Sequence, residues 1–148
     1  MLTARYLAID PGGKRTGLAL GDRETGLVSP ALCPPFAPNG VIHHANDAER
    51  LALLRKVIDR EMPDAVVLGL PLHMDGSVGA QAAKSEALAK RLGELTGLTV
   101  HLQDERLTSA AADEVMAGTG LTHKQKKARR DALAACAVLR DFLARLAD

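Results

Sequence analysis

Acids stand at three places where carboxylates could do chemistry. Asp10 ends the short apolar run Tyr6–Asp10 in IDPGGKRTG, Asp104 and Glu105 end another in HLQDERLTS, and Asp131 leads into the apolar stretch of KARRDALAACAVL. Each abuts a segment that must be buried, so each is carried to the rim of the core. Carboxylates gathered there repel one another, and burying them unpaired costs several kcal/mol per ion. Hard divalent cations relieve that repulsion through oxygen ligands. Two such ions about 4 Å apart activate a water and stabilise the leaving oxygen in phosphodiester cleavage. The same residues have a plainer use: an Asp after a strand begins a turn, and Asp-Glu-Arg forms a surface salt-bridge cluster. Spacing alone does not choose between the two.

Basic residues lie beside two of these acids. Lys14 and Arg15 share a turn with Gly12, Gly13 and Gly17, which permits close backbone approach to a ligand or simply makes a hairpin. The turn lacks the order of a P-loop and does not open a helix as a dinucleotide fingerprint would. Lys124, Lys126, Lys127, Arg129 and Arg130 precede or flank Asp131. The formal net charge is +1, and without these five cations the rest of the chain sums to −4. Basicity is therefore focused in one segment. Cations at a helix start oppose its dipole, by about 0.3–1 kcal/mol each where exposed. A phosphate there would reverse the balance, whereas without one the tract is a solvated charged loop.

The elements that must position these groups alternate along the chain. Tyr6–Asp10, Gly17–Asp22 and Leu27–Leu32 read as three strands able to form an antiparallel meander, the last two separated by the hairpin-sized turn Arg23–Gly26. Pro34, Pro35, Pro38, Asn39 and Gly40 predict a loop. Leu51, Leu54 and Ile58 recur at helical spacing from Asn46 to Glu61, with Asn46 or Asp47 as cap and Pro63 as stop. Ala65–Leu70 is a continuous apolar run suited to a strand buried on both faces. A second helix is expected to open at Ser77, carry Leu88, Leu92 and Leu95 as its stripe, and stop at Gly97. Leu98–Gln103 is the next strand, and a short helix is expected from about Thr108 to Met116. The last helix is expected from about Ala128 to Ala147, with Ala132, Ala135, Leu139, Phe142 and Leu146 on one face. The order β-β-β-α-β-α-β-α-α describes a mixed sheet covered by helices.

The 148 residues fit one domain, 1–148, with 47% hydrophobic and 25% charged residues. With no Trp, one Tyr and two Phe, the chain is poor in the aromatic platforms that stack bases, which leaves recognition by backbone and shape. Cys33 and Cys136 have neither zinc-site nor disulfide-framework spacing. The start MLTARYLAID has no basic-then-apolar signal pattern, and no stretch reaches the roughly 20 apolar residues of a membrane span. A cytoplasmic protein with two free thiols is expected.

At these residues the chain resembles the YqgF family, also called RuvX or Holliday junction resolvases, of the ribonuclease H-like superfamily. DPGGKRTGLA at Asp10–Ala19 is similar to the family's opening motif, and GLPLHMDGSVG at Gly69–Gly79 to its central one. DERLTS at Asp104–Ser109 and KKARRDALAA at Lys126–Ala135 are similar to its acidic and basic-then-Asp segments. The resemblance spans nearly the whole chain. It implies an α/β ribonuclease H-like fold with a five-stranded mixed sheet in the order 3-2-1-4-5. It also implies Mg²⁺ or Mn²⁺ held by catalytic acids Asp10, Glu105 and Asp131, with Asp104 the alternative to Glu105. Successive strand residues face opposite ways, so one of that pair points inward.

On this reading the nucleic-acid contacts are Lys14, Arg15, Arg106, Lys124, Lys126, Lys127, Arg129 and Arg130. The implied activity is nucleolytic, in 5′ maturation of pre-16S rRNA or on branched DNA. Resolving a symmetric junction would favour a homodimer; trimming RNA would not. His73 departs from the family, which often has Asn there. Two rivals remain. A sugar-kinase or actin-type ATPase would need a second domain and a second phosphate loop. A non-catalytic RNA-binding assembly module would carry the acids without using them.

Overall fold

The computed structural model describes residues 4–105 and 123–147. Strand β1 (Arg5–Pro11) pairs antiparallel with β2 (Arg15–Asp22) through the Gly12–Lys14 turn. β2 then meets two short strands on its far side. β3 (Val28–Pro30) covers its C-terminal half and β4 (Val41–His43) its N-terminal half. After helix α1 (Asp47–Glu61), strand β5 (Ala65–Leu70) lies parallel to β1. After helix α2 (Ala80–Thr96), strand β6 (Val100–Asp104) lies parallel to β5. Helix α3 (His123–Ala147) closes the described chain.

The sheet order is β3-β2-β1-β5-β6 with β4 beside β2, so the expected meander and its two parallel additions are present. The edge strand is the difference: among the described residues six strands stand where five were expected, because the edge position is shared by β3 and β4. Pro30, Pro34, Pro35 and Pro38 cannot donate to a ladder, and one continuous edge strand cannot run through them.

The central strands are buried on both faces, which explains their unbroken apolar runs. Leu7 and Ile9 of β1 join Leu54, Val57 and Ile58 of α1 and Leu88 and Leu92 of α2 in one core. Tyr6 and Ala8 face the other way, onto Ala135, Val138, Leu139 and Phe142 of α3. The result is three layers, with α1 and α2 on one face of the sheet and α3 on the other. β2 presents Gly17, Ala19 and Gly21 to α3. A Cβ at Gly17 would lie 1.8 Å from the backbone oxygen of Asp131, and one at Gly21 2.7 Å from Leu139. Small residues on alternate positions thus let the helix lie directly on the strand.

Asn46 caps α1 by accepting from the Glu49 N–H at 2.8 Å, and Gly97 ends α2 at φ 74°. Other boundaries differ from expectation. α2 begins at Ala80 because Ser77 is occupied with Asp75, whose Oδ1 accepts from its N–H at 2.9 Å and its hydroxyl at 2.6 Å. Leu95 lies outside the α2 stripe and is exposed. β6 begins at Val100, two residues past the expected Leu98. α3 begins at His123, so the basic tract occupies the first turns of the helix, where a loop was expected before Ala128. Arg106 and the short helix expected at 108–116 lie outside the described residues.

Candidate active site

Alternation decides which acids meet. On β1, Tyr6 and Ala8 face α3, so Asp10 faces it too, directly opposite Gly17 of β2. On β6, the His101 ring packs on Phe142 of α3 with centroids 4.9 Å apart. Gln103 and Glu105 share that parity, and Asp104 has the other. Glu105 follows the end of β6, and its N–H donates to the Leu70 carbonyl at 3.2 Å. Its carboxyl occupies the space over Gly69 of β5, where a Cβ would lie 2.2 Å from Oε2.

Asp10 and Glu105 are joined by a side-chain hydrogen bond. Burial pushes the Glu105 carboxyl up to about 9, with the hydrogen bond to Asp10 and the charges of Asp10 and Asp104 adding to it. Burial also raises Asp10; the bond from Glu105 counteracts this and the charge of Asp131 adds to it. Glu105 is therefore the protonated donor and Asp10 the acceptor. This is how two carboxyl groups share a site when nothing else neutralises them.

Asp131 reaches the same rim from α3. Its Oδ2 lies 3.1 Å from Nε of Arg15, the first residue of β2. That oxygen is shielded from solvent and, among the described residues, accepts no hydrogen bond, so its contact with Arg15 is an ion pair without a directed bond. Two of the three expected acids thus touch, and the third stands within electrostatic reach of Asp10 but is held by Arg15. Among the described residues no three His, Cys, Asp or Glu side chains are gathered closely enough to hold one metal ion. The donor chemistry nonetheless suits a hard cation. A carboxyl pair holds a proton in place of a counter-charge, and a shielded carboxylate oxygen has no donor.

The turn between Asp10 and Arg15 is anchored from behind. Arg50, buried on α1, donates from Nη1 to the Gly12 carbonyl at 2.8 Å and from Nη2 to Asp47 at 2.9 Å. The His44 N–H donates to the Lys14 carbonyl at 3.0 Å. The buried His44 ring bonds Thr16 through Nε2 at 2.8 Å, and burial pushes its pKa down. Lys14, Arg15, His43, His44, Ala45 and Glu49 line an open groove of about 550 Å³, which shares Arg15 with the Asp131 ion pair. Sequence reasoning missed Arg50, His44 and Gly69. The Asp47–Arg50 spacing was visible as a helical pair, but nothing local showed that the Arg would be buried. Arg129 and Arg130 are exposed on the first turns of α3. His73 packs its ring over Gly79, just before α2, where a Cβ would lie 2.2 Å from Nε2.

Comparison with known proteins identifies the family. The RuvX family, described as Holliday junction resolvase, matches residues 4–145. The chain belongs to the RuvX family. RuvX relatives carrying the name "Putative pre-16S rRNA nuclease" include one from Pseudomonas putida, 38% identical over 93% of this chain and 92% of its own length. Another, from Acidiphilium cryptum, is 35% identical over 95% of this chain and 84% of its own length. Among solved structures, Thermus thermophilus RuvC in complex with a Holliday junction substrate superposes with a TM-score of 0.54 at 17% identity, covering 97% of this chain and 96% of that one. The RuvX chain thus has the ribonuclease H-like α/β fold expected from its motifs. Among the described residues no helix is long and apolar enough to cross a membrane.

Proposed function

We propose that this chain is a divalent-metal-dependent nuclease that hydrolyses phosphodiester bonds of structured nucleic acid. The observation that carries the proposal is the meeting of the buried Asp10 and Glu105 carboxyl groups at the rim of the sheet, over Gly69, with Asp131 reaching the same rim. Asp10, Glu105 and Asp131 are the residues that would hold Mg²⁺ or Mn²⁺. Bound there, such ions activate a water and stabilise the leaving oxygen. To serve as a ligand Glu105 would have to lose its proton to solvent, so that its carboxylate could stand beside that of Asp10. Lys14, Arg15, Arg106 and the cations from Lys124 to Arg130 hold phosphates of the substrate, which needs no aromatic stacking.

The names of the relatives support precursor 16S rRNA as substrate, and maturation of its 5′ end in the cytoplasm is the reading we propose. The family description supports a four-way DNA junction, which would call for a two-fold pair of chains. One preparation assayed on matched precursor-rRNA and four-way-junction substrates separates the two. Cleavage should require Mg²⁺ or Mn²⁺ and should fall at least a hundredfold in Asp10→Asn with circular dichroism unchanged. Undiminished cleavage by Asp10→Asn, or in excess chelator, would sink the proposal. Metal-independent binding of RNA without cleavage would favour the assembly module.

A further inference from the structure

Arg15 has a partner that a substrate-binding residue would not need. It begins β2 on the same face as Gly17, and its backbone is held in place because the turn before it is tied at the Gly12 and Lys14 carbonyls. The side chain itself is 41% exposed, and its partner Asp131 is 25% exposed. An ion pair of this exposure is worth about fivefold at most in an equilibrium constant, and among the described residues Asp131 Oδ2 also has no directed hydrogen bond. A phosphodiester offers the guanidinium two oxygens in a geometry that matches its fork. The pair is thus weak enough to be exchanged for a phosphate by side-chain rotation alone.

We propose that Arg15 is a clasp: in the free protein it holds Asp131 aside from the Asp10–Glu105 pair, and a phosphodiester of bound nucleic acid takes the guanidinium and releases Asp131 toward the divalent cation. The inference rests on the nuclease reading. It makes Arg15 a positioning residue that acts through Asp131, and it accounts for three acids reaching one rim while only two of them touch.

The test is Mn²⁺ binding to the full-length, metal-free protein, read from the electron paramagnetic resonance of free Mn²⁺, for wild type, Arg15→Gln, Asp131→Asn and the double variant. Arg15→Gln should bind Mn²⁺ about two- to fivefold more tightly than wild type. In the Asp131→Asn background the same substitution should change nothing. Equal tightening in both backgrounds would mean that Arg15 acts only as a nearby positive charge, and the clasp would be overturned. In metal-free buffer, where nothing is cleaved, Arg15→Gln should also lower the log–log salt slope for binding an RNA duplex by about 0.7–0.9, the equivalent of one phosphate. An unchanged slope would remove the trigger and overturn the clasp. Failure of every variant to bind Mn²⁺ would overturn both the clasp and the metal site of the proposed nuclease; binding without coupling to Asp131 would overturn the clasp alone.

Discussion

A hydrogen bond between two carboxyl groups lasts only while one of them keeps a proton, and Glu105 keeps its proton up to about pH 9. In the unfolded chain the same group ionises near 4.5. Across that interval the folded protein binds a proton that the unfolded chain releases, so the stability of the metal-free protein must fall as pH rises. Thermal unfolding in chelator should give midpoints that drop steadily from pH 5 to pH 9, and saturating Mg²⁺ should flatten the trend by replacing the proton as counter-charge. Midpoints independent of pH in chelator would mean that the pair is not joined. Gly69 belongs to the same unit. Gly69→Ala drives a Cβ into Oε2 of Glu105, a clash relieved by swinging the carboxyl away. Stability should fall by about 1–3 kcal/mol, whereas cleavage should fall further than the smaller folded fraction explains. Urea titration and single-turnover rates on the same preparation separate the two effects.

Between elements, the decisive contact is α3 on β2. Gly17 and Gly21 let the helix approach so closely that the backbone of Asp131 lies over Gly17. Gly17→Ala puts a methyl group where the Asp131 carbonyl is, and backbone cannot yield as a flexible side chain does. We expect a loss of about 3 kcal/mol or more, with α3 loosened from the sheet, measured by urea denaturation and by amide exchange in residues 131–142. Asn46→Ala removes the N-cap of α1, next to the Asp47–Arg50 pair that ties the Gly12 turn. It should cost about 1 kcal/mol, read by urea denaturation.

For the whole molecule, charge is distributed unevenly: five cations from Lys124 to Arg130 sit on a chain that is otherwise net negative. The first turns of α3 carry that tract in sequence, Arg129 and Arg130 are exposed on it, and the same helix brings Asp131 to the rim where the acids meet. Replacing Lys126, Lys127, Arg129 and Arg130 with Gln should weaken RNA and DNA-junction binding alike, because phosphates are common to both. The log–log salt slope should drop by about 0.7–0.9 for each phosphate that the variant no longer neutralises. A slope identical to wild type would leave the tract as a solvated helix face and move the substrate path to the groove at Lys14 and Arg15.

Much of this architecture was legible in the order of residues, because its causes are local. Unbroken apolar runs marked β1 and β5 as buried strands, Asn46 and Gly97 marked helix ends, and the acids at strand ends were placed at the rim by the segments they terminate. Alternation along an extended segment showed that only one of Asp104 and Glu105 could face inward. Which one depended on the helix on the other side, and it took the packing of His101 on Phe142 to settle it. The division of the edge into β3 and β4, the burial of Arg50 and the need for Gly69 to lack a side chain were likewise decided by tertiary structure. In each case the constraint comes from an element distant in the chain. Periodicity reports how a segment meets a core; it does not report which atoms of another segment fill the space in front of it.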